Sequence, residues 1–137
     1  LCYDILEHLD YLPILKDLHR ILTPAGKLVI RVPHFTARNN YVDPTHLRLF
    51  SIRTFDFFTA GSRVNKEKGR DYYFDFKFAK IASARITFEK HMLIIRTINN
   101  YLVEPVVNIS RATQDFYETT GFSRLFPAQN IEVALIK

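Results

Sequence analysis

One cysteine, four glycines and no long apolar run mark this chain of 137 residues. Each shortage excludes something. Cys2 alone builds neither a disulfide framework nor a multi-cysteine zinc site, and its solitude fits a reducing compartment, so a cytoplasmic address is expected. Four glycines leave no Gly-rich phosphate cradle, and the G-x-S-x-G, C-x-x-C and H-E-x-x-H patterns are missing. No stretch approaches the ~20 apolar residues of a bilayer span. Asp4 and Glu7 stand where a secretory leader would carry cations and then an apolar run, so no membrane partner is expected. The charge excess is small: 19 Lys and Arg against 14 Asp and Glu, a net +5. Nucleic acid stays open as a partner without being indicated.

What is present specifies a core. With 47% hydrophobic and 24% charged residues, the chain reads as one globular domain or part of one. It opens on Leu1, inside an apolar-to-acidic transition, as a piece cut from a longer chain would.

Leu12, Leu15, Leu18 and Leu22 recur at helical spacing and predict a helix over Tyr11–Leu22, with Asp10 as its cap and Pro13 in its first turn. Thr23-Pro24-Ala25-Gly26 should stop it, glycine accepting the positive φ of the reversal. Lys27–Pro33 then reads as a buried parallel strand, and Leu1-Cys2 as the tail of an earlier one, giving a βαβ unit. His34–Phe50 has no period and predicts a long loop leaving the carboxyl end of the second strand, where open α/β sheets keep their ligand sites. Ser51 can cap a short helix with Phe55 and Phe58 on one face, ending at Gly61. Arg63–Arg70 reads as a solvated, mobile loop, and alternation over Tyr72–Phe88 fits two strands or a bent hairpin. Met92–Val103 and Ser110–Thr119 look helical, with Glu104-Pro105 arguing against one continuous helix, and Ile131, Val133 and Leu135 alternate in a closing strand.

Two clusters carry chemistry. Asp4, Glu7 and His8 fall just past a strand end, and one helical turn would bring their oxygens and imidazole together to bind a cation or move a proton. His34 and Asp43-Pro44-Thr45-His46 lie in the long loop over the same sheet edge, from which a histidine could complete that site. The competing reading makes Glu7 and His8 local caps and pins the loop through Asp43 and Thr45. His91, beside Met92 and Leu93, reads as structural.

Asp4-Ile-Leu-Glu7-His8-Leu9, the helix ending Leu-His-Arg-Ile-Leu22, Thr23-Pro24-Ala25-Gly26-Lys27 and the strand ending at Pro33 resemble one known region. It is the stretch after the fourth strand of class I S-adenosylmethionine-dependent methyltransferases, of the methyltransferase type 11-like kind. Ala25 stands where the family commonly has glycine. The likeness is dense over Cys2–Phe58 and thin afterwards, although Ile131–Lys137 is similar to the antiparallel seventh strand. Pro33-His34-Phe35, Asp43-Pro44-Thr45-His46 and Phe50-Ser51 look like a subset of bacterial methyltransferase-domain proteins of undetermined substrate.

The resemblance implies an α/β, Rossmann-like sheet truncated to strands four and five and the closing antiparallel strands. Residues 1–137 would be the carboxyl-terminal part of a single methyltransferase domain, with 34–70 as a lid or insert. S-adenosylmethionine would be the cofactor, its glycine-rich loop lying upstream of Leu1, so that the fragment alone is inactive. Cys2, Tyr3 and Asp4 would border it, while Glu7, His8, His34 and His46 face an unknown oxygen or nitrogen methyl acceptor. Ubiquinone-pathway O-methyltransferases and small-RNA 2′-O-methyltransferases hold a divalent metal with an acid, two residues, then Glu-His. The matching positions are Asp4, Glu7 and His8, with His46 the candidate fourth. The alternatives are a non-catalytic methyltransferase-like scaffold and a basic RNA-binding module using Lys66, Lys68 and Arg70.

Overall fold

Leucines three and four apart wind residues 11–21 into α1 (Tyr11–Ile21), which buries Leu15 completely and Ile14 and Leu18 in part. In this computed structural model, which describes residues 1–68, 71–90 and 93–137, Pro13 lies in the first turn as expected. Asp10 does not cap the helix, because its side chain makes no bond to the first-turn amides. The reversal after α1 divides its demands between two residues. Ala25 takes the positive φ, 60°, that glycine was expected to take. Gly26 is needed for space instead, since a Cβ there would lie 2.7 Å from the carbonyl oxygen of Thr23.

Four strands form one sheet in the order β1-β2-β4-β3. β1 (Cys2–Tyr3) is parallel to β2 (Lys27–Pro33), with Cys2 opposite Ile30. β4 (Ala128–Ile136) runs antiparallel between β2 and β3 (Lys80–Phe88). Register places Ile30, Val133 and Ala84 side by side, and Val32, Ile131 and Ile86 in the next row, so these residues share one apolar face. Leu6, Leu15, Phe50, Phe55 and Phe58 join the same core. The opposite face carries the row Arg31, Glu132, Arg85 and is largely polar.

Between the strands, several expectations are corrected. Tyr72–Phe88 contains no hairpin: after a short 3₁₀ turn at Asp71–Tyr73, Phe78 makes a single bridge to Thr59 and only β3 follows. The alternating aromatics pack instead on Phe58, with ring centroids 4.5 Å from Phe74 and 5.7 Å from Phe76. Core packing satisfies the alternation without a partner strand. Arg63–Lys68 is a helix, α3, rather than a loop, because buried Asn65 donates its amide to the carbonyls of Phe57 and Thr59 and ties the segment down. Gly69, Arg70, His91 and Met92 lie outside the described residues.

Pro105 does not interrupt the helical run either. A short helix α2 (Asn39–Val42) lies in the long loop, and past β3 α4 (Leu93–Ile98) continues through a π turn (Asn99–Val103) directly into α5 (Glu104–Val107). The wide turn, closed by the Glu104 amide on the Asn99 carbonyl, puts Pro105 in a fresh first turn, where its missing N–H costs nothing. α6 (Arg111–Thr119) is capped by Ser110 in a reciprocal box with Thr113, and α7 (Phe122–Leu125) leads into β4. This helical lobe seals the outer edge of β3. The Asn108 side chain accepts from the Ile86 amide and donates to its carbonyl, both at 2.8 Å, and Gln114 donates to Ala84.

Tyr117 of α6 is buried against Phe88 and donates to the Phe126 carbonyl at 2.7 Å. Burial, with the nearby Glu118 carboxylate adding to it, pushes its phenol up to about 12. A raised folded pKa means that the stabilisation is complete below pH ~10, the ordinary tyrosine value, and is lost as pH rises through about 12. In Tyr117→Phe, denaturant titrations between pH 9 and 12 should therefore show a shallower alkaline loss than the parent, by roughly 2 kcal/mol. Identical alkaline slopes would contradict this burial.

Candidate functional site

The parallel pair ends with its carboxyl termini on one side of the sheet, and the chain there is forced into a sharp exit. Asp4 adopts a left-handed φ of 54° and its amide still bonds to the Arg31 carbonyl, at 2.9 Å. A single 3₁₀ turn, Leu6–His8, follows, with Leu6 driven fully into the core. That anchor turns Glu7 inward, where it is 1% exposed. One oxygen of its carboxylate, Oε2, is buried with no hydrogen-bond partner. Burial pushes this carboxyl above the usual range, with Asp4 adding and His8 and His46 opposing.

The long loop returns over this turn. His34 and Phe50 close it by a parallel bridge, and the Leu47 amide donates to the Glu7 carbonyl at 2.7 Å. Asp43 accepts from the amide and the hydroxyl of Thr45, at 2.9 and 2.6 Å, and those bonds hold its carboxyl below the usual range. The pin anticipated at Asp43 and Thr45 therefore exists. Its effect is to deliver His46, whose ring lies edge-on to His8 with centroids 4.6 Å apart.

Hydrogen bonding fixes both tautomers. The single proton of Thr45 Oγ1 goes to Asp43, so at the 2.8 Å contact His8 Nδ1 must be the donor. Asn40 donates its amide nitrogen to the His34 carbonyl, which leaves its oxygen to accept from His46 Nδ1 at 3.3 Å. In its neutral form each imidazole then has Nε2 free as a lone pair, with Glu7 Oε1 3.9 Å from that of His8 and Asp43 Oδ2 3.7 Å from that of His46. Ligand atoms of Glu7, His8 and His46 all lie within 4.8 Å of one another. Two imidazoles and a carboxylate make a donor set suited to a divalent transition metal or zinc.

Three of the four expected metal positions therefore converge, and Asp4 does not. Its carboxylate is held by the Arg31 guanidinium, with Nε 3.1 Å from both oxygens. Arg31 in turn covers the Tyr3 ring at 4.7 Å. His34 is also absent from the cluster. It is wholly buried, its Nδ1 accepting from the Thr36 amide at 3.1 Å and its Nε2 facing Glu118 at 3.0 Å, so it fastens the loop and presents nothing to an acceptor. Of the three residues assigned to a cofactor, Cys2 is buried, Asp4 is engaged by Arg31, and Tyr3 is partly exposed. Asn40 and Glu118 escaped the sequence reading. Asn40 offered only its place six residues before His46, and Glu118 sat on a helix with no local signal.

No helix among the described residues is long and apolar enough to cross a membrane. No family model, curated protein or solved structure matches the chain.

Proposed function

We propose that this chain is the substrate-side half of a class I S-adenosylmethionine-dependent methyltransferase domain, acting on an oxygen or nitrogen acceptor, with a divalent metal held by Glu7, His8 and His46. The observation that carries the reading is the sheet. β1 and β2 form a parallel pair joined through α1, β4 runs antiparallel beside them, and the Glu-His-His cluster lies just past the end of β1. Ligand sites of open α/β sheets occupy that rim.

A Glu7 carboxylate with one buried oxygen left unpartnered, and two imidazoles each anchored through Nδ1, fit a metal. A bound divalent ion supplies positive charge that lowers the pKa of an acceptor hydroxyl. The chain's own residues do the positioning. Thr45 and Asn40 lock the two rings, and the Leu47 amide holds the loop on the Glu7 turn. One lone pair cannot both ligate and take a proton, and the convergence of three donors favours ligation over a general-base role for His8 or His46. For the methyl donor, the residues present fit only in part: Tyr3 is accessible, whereas Cys2 and Asp4 are occupied. No step is assigned to them.

Titration with Co²⁺, read by its visible absorption, separates the metal from the methyl chemistry. The protein should take up one equivalent, Thr45→Val should bind about 10- to 100-fold more weakly, and His46→Ala should lose the spectrum. No uptake by the folded protein, or unchanged uptake by His46→Ala, rejects the metal site. Failure of the full-length protein to bind S-adenosylmethionine rejects the methyltransferase reading.

A further inference from the structure

A cleft opens on the same rim of the sheet as the Glu-His-His cluster. It is lined by the chain leaving β2 at Arg38 and Asn39, by Glu89 just past the end of β3 and by Gln129 at the start of β4, three strand ends that share one side of the sheet. Its volume of about 660 Å³ lies within the range of roughly 300–1,000 Å³ usual for small-molecule sites. The helix α2 connects it to the metal cluster. Asn39 lines the cleft, and the next residue, Asn40, holds the His46 ring.

Five polar residues line the cleft, and they fall into two sets. Glu89 Oε1 accepts from the Lys90 amide at 2.8 Å, and Asn99 donates its side-chain amide to the Glu89 carbonyl at 3.0 Å. Those two are engaged. The side chains of Arg38, Asn39 and Gln129 have no hydrogen-bond or ion-pair partner among the described residues. The cleft therefore still has a guanidinium and two carboxamides to offer, donors that match the paired oxygens of a carboxylate. Ile98, Leu125 and Phe126 supply an apolar wall beside them, and the first two are exposed. We propose that the cleft binds a small carboxylic acid with an apolar body, its carboxylate on Arg38, Asn39 and Gln129 and its body on Ile98, Leu125 and Phe126. This site needs neither the metal nor a methyl donor.

Isothermal titration calorimetry of the metal-free protein with hydrocinnamate, its amide and the matching amine phenylpropylamine tests it, because the three share a body and differ at one end. The acid should bind at least ~10-fold more tightly than the amide, and the amine should not bind. Arg38→Gln should weaken the acid about 10- to 100-fold and the amide far less. Arg38→Lys should recover only part of that loss, since an ammonium keeps the charge without the planar fork. Leu125→Ser should weaken acid and amide alike and spare the circular dichroism, its side chain being 68% exposed. No binding of the acid, equal binding of acid and amide, or an Arg38→Gln protein that binds the acid as the parent does overturns the proposal. So does tighter binding of the amine, which would assign the cleft to cations through Glu89. A protein that takes up Co²⁺ but ignores the acid rejects this cleft alone, whereas one that binds the acid without taking up Co²⁺ rejects the metal site and leaves the cleft standing.

Discussion

Asp56→Ala should lower the free energy of unfolding by about 3 kcal/mol, measured by urea denaturation at neutral pH. Asp56 is 3% exposed and divides its carboxylate between two guanidiniums, Oδ2 accepting from Arg53 at 2.9 Å and Oδ1 from Arg111 at 2.8 Å. Removing it leaves two cations facing each other with one carboxylate fewer. The cost stays at the low end for a broken buried pair because both arginines reach water in part and Asp115 still receives Arg53. Asp56→Asn should retain about half of the loss, keeping an acceptor while removing the charge. A change below 1 kcal/mol for Asp56→Ala would mean that the pairs behave as surface pairs do, contrary to their burial.

Glu118→Ala carries a comparable expected loss, about 4 kcal/mol, and a second effect at a distance. Its carboxylate collects three donors: Ser51 Oγ at 2.6 Å, the Ile52 amide at 2.7 Å and His34 Nε2 at 3.0 Å. Each is left without its partner in a site where water is scarce. His34 and Phe50 close the base of the loop that carries His46, so loosening them should also weaken Co²⁺ uptake, although Glu118 touches none of the three proposed ligands. Glu118→Gln should recover part of the stability and of the metal affinity. If Glu118→Ala destabilised the chain but left Co²⁺ affinity unchanged, the loop base would not be what holds His46 in place.

The regular part of this architecture was legible because it is local. Leucine spacing fixes α1, a β-branched run after Thr23-Pro24-Ala25-Gly26 fixes β2, and the alternation of Ile131, Val133 and Leu135 fixes β4. The errors came where distant packing overrides a local rule. Phe74, Phe76 and Phe78 alternate like a strand, yet the first two pack on Phe58 and the third on His19 and Phe76. Pro105 reads as a break, yet the π turn before it restarts the helix in register. Arg63–Lys68 reads as solvent-facing charge, yet Asn65 anchors it to the carbonyls of the preceding turn.

The candidate site divides in the same way. Glu7 and His8 were visible as neighbours, and His46 as a residue the loop could deliver. The departure of Asp4 depended on Arg31, which is adjacent only through strand pairing, and the burial of His34 depended on Glu118, 84 residues away. Neither partner can be read from spacing. Residue type announced which groups could hold a cation, and folded geometry decided which of them remained free to do so.

The two margins of the sheet are unlike. At β3 the side chains of Asn108 and Gln114 occupy the backbone groups that another strand would need, whereas β1 offers an outer margin paired with no strand among the described residues. Growth of the sheet is therefore one-directional: a further strand can be added next to Tyr3 but not next to Ile86. That open margin is where the remaining strands of the proposed methyltransferase sheet would join.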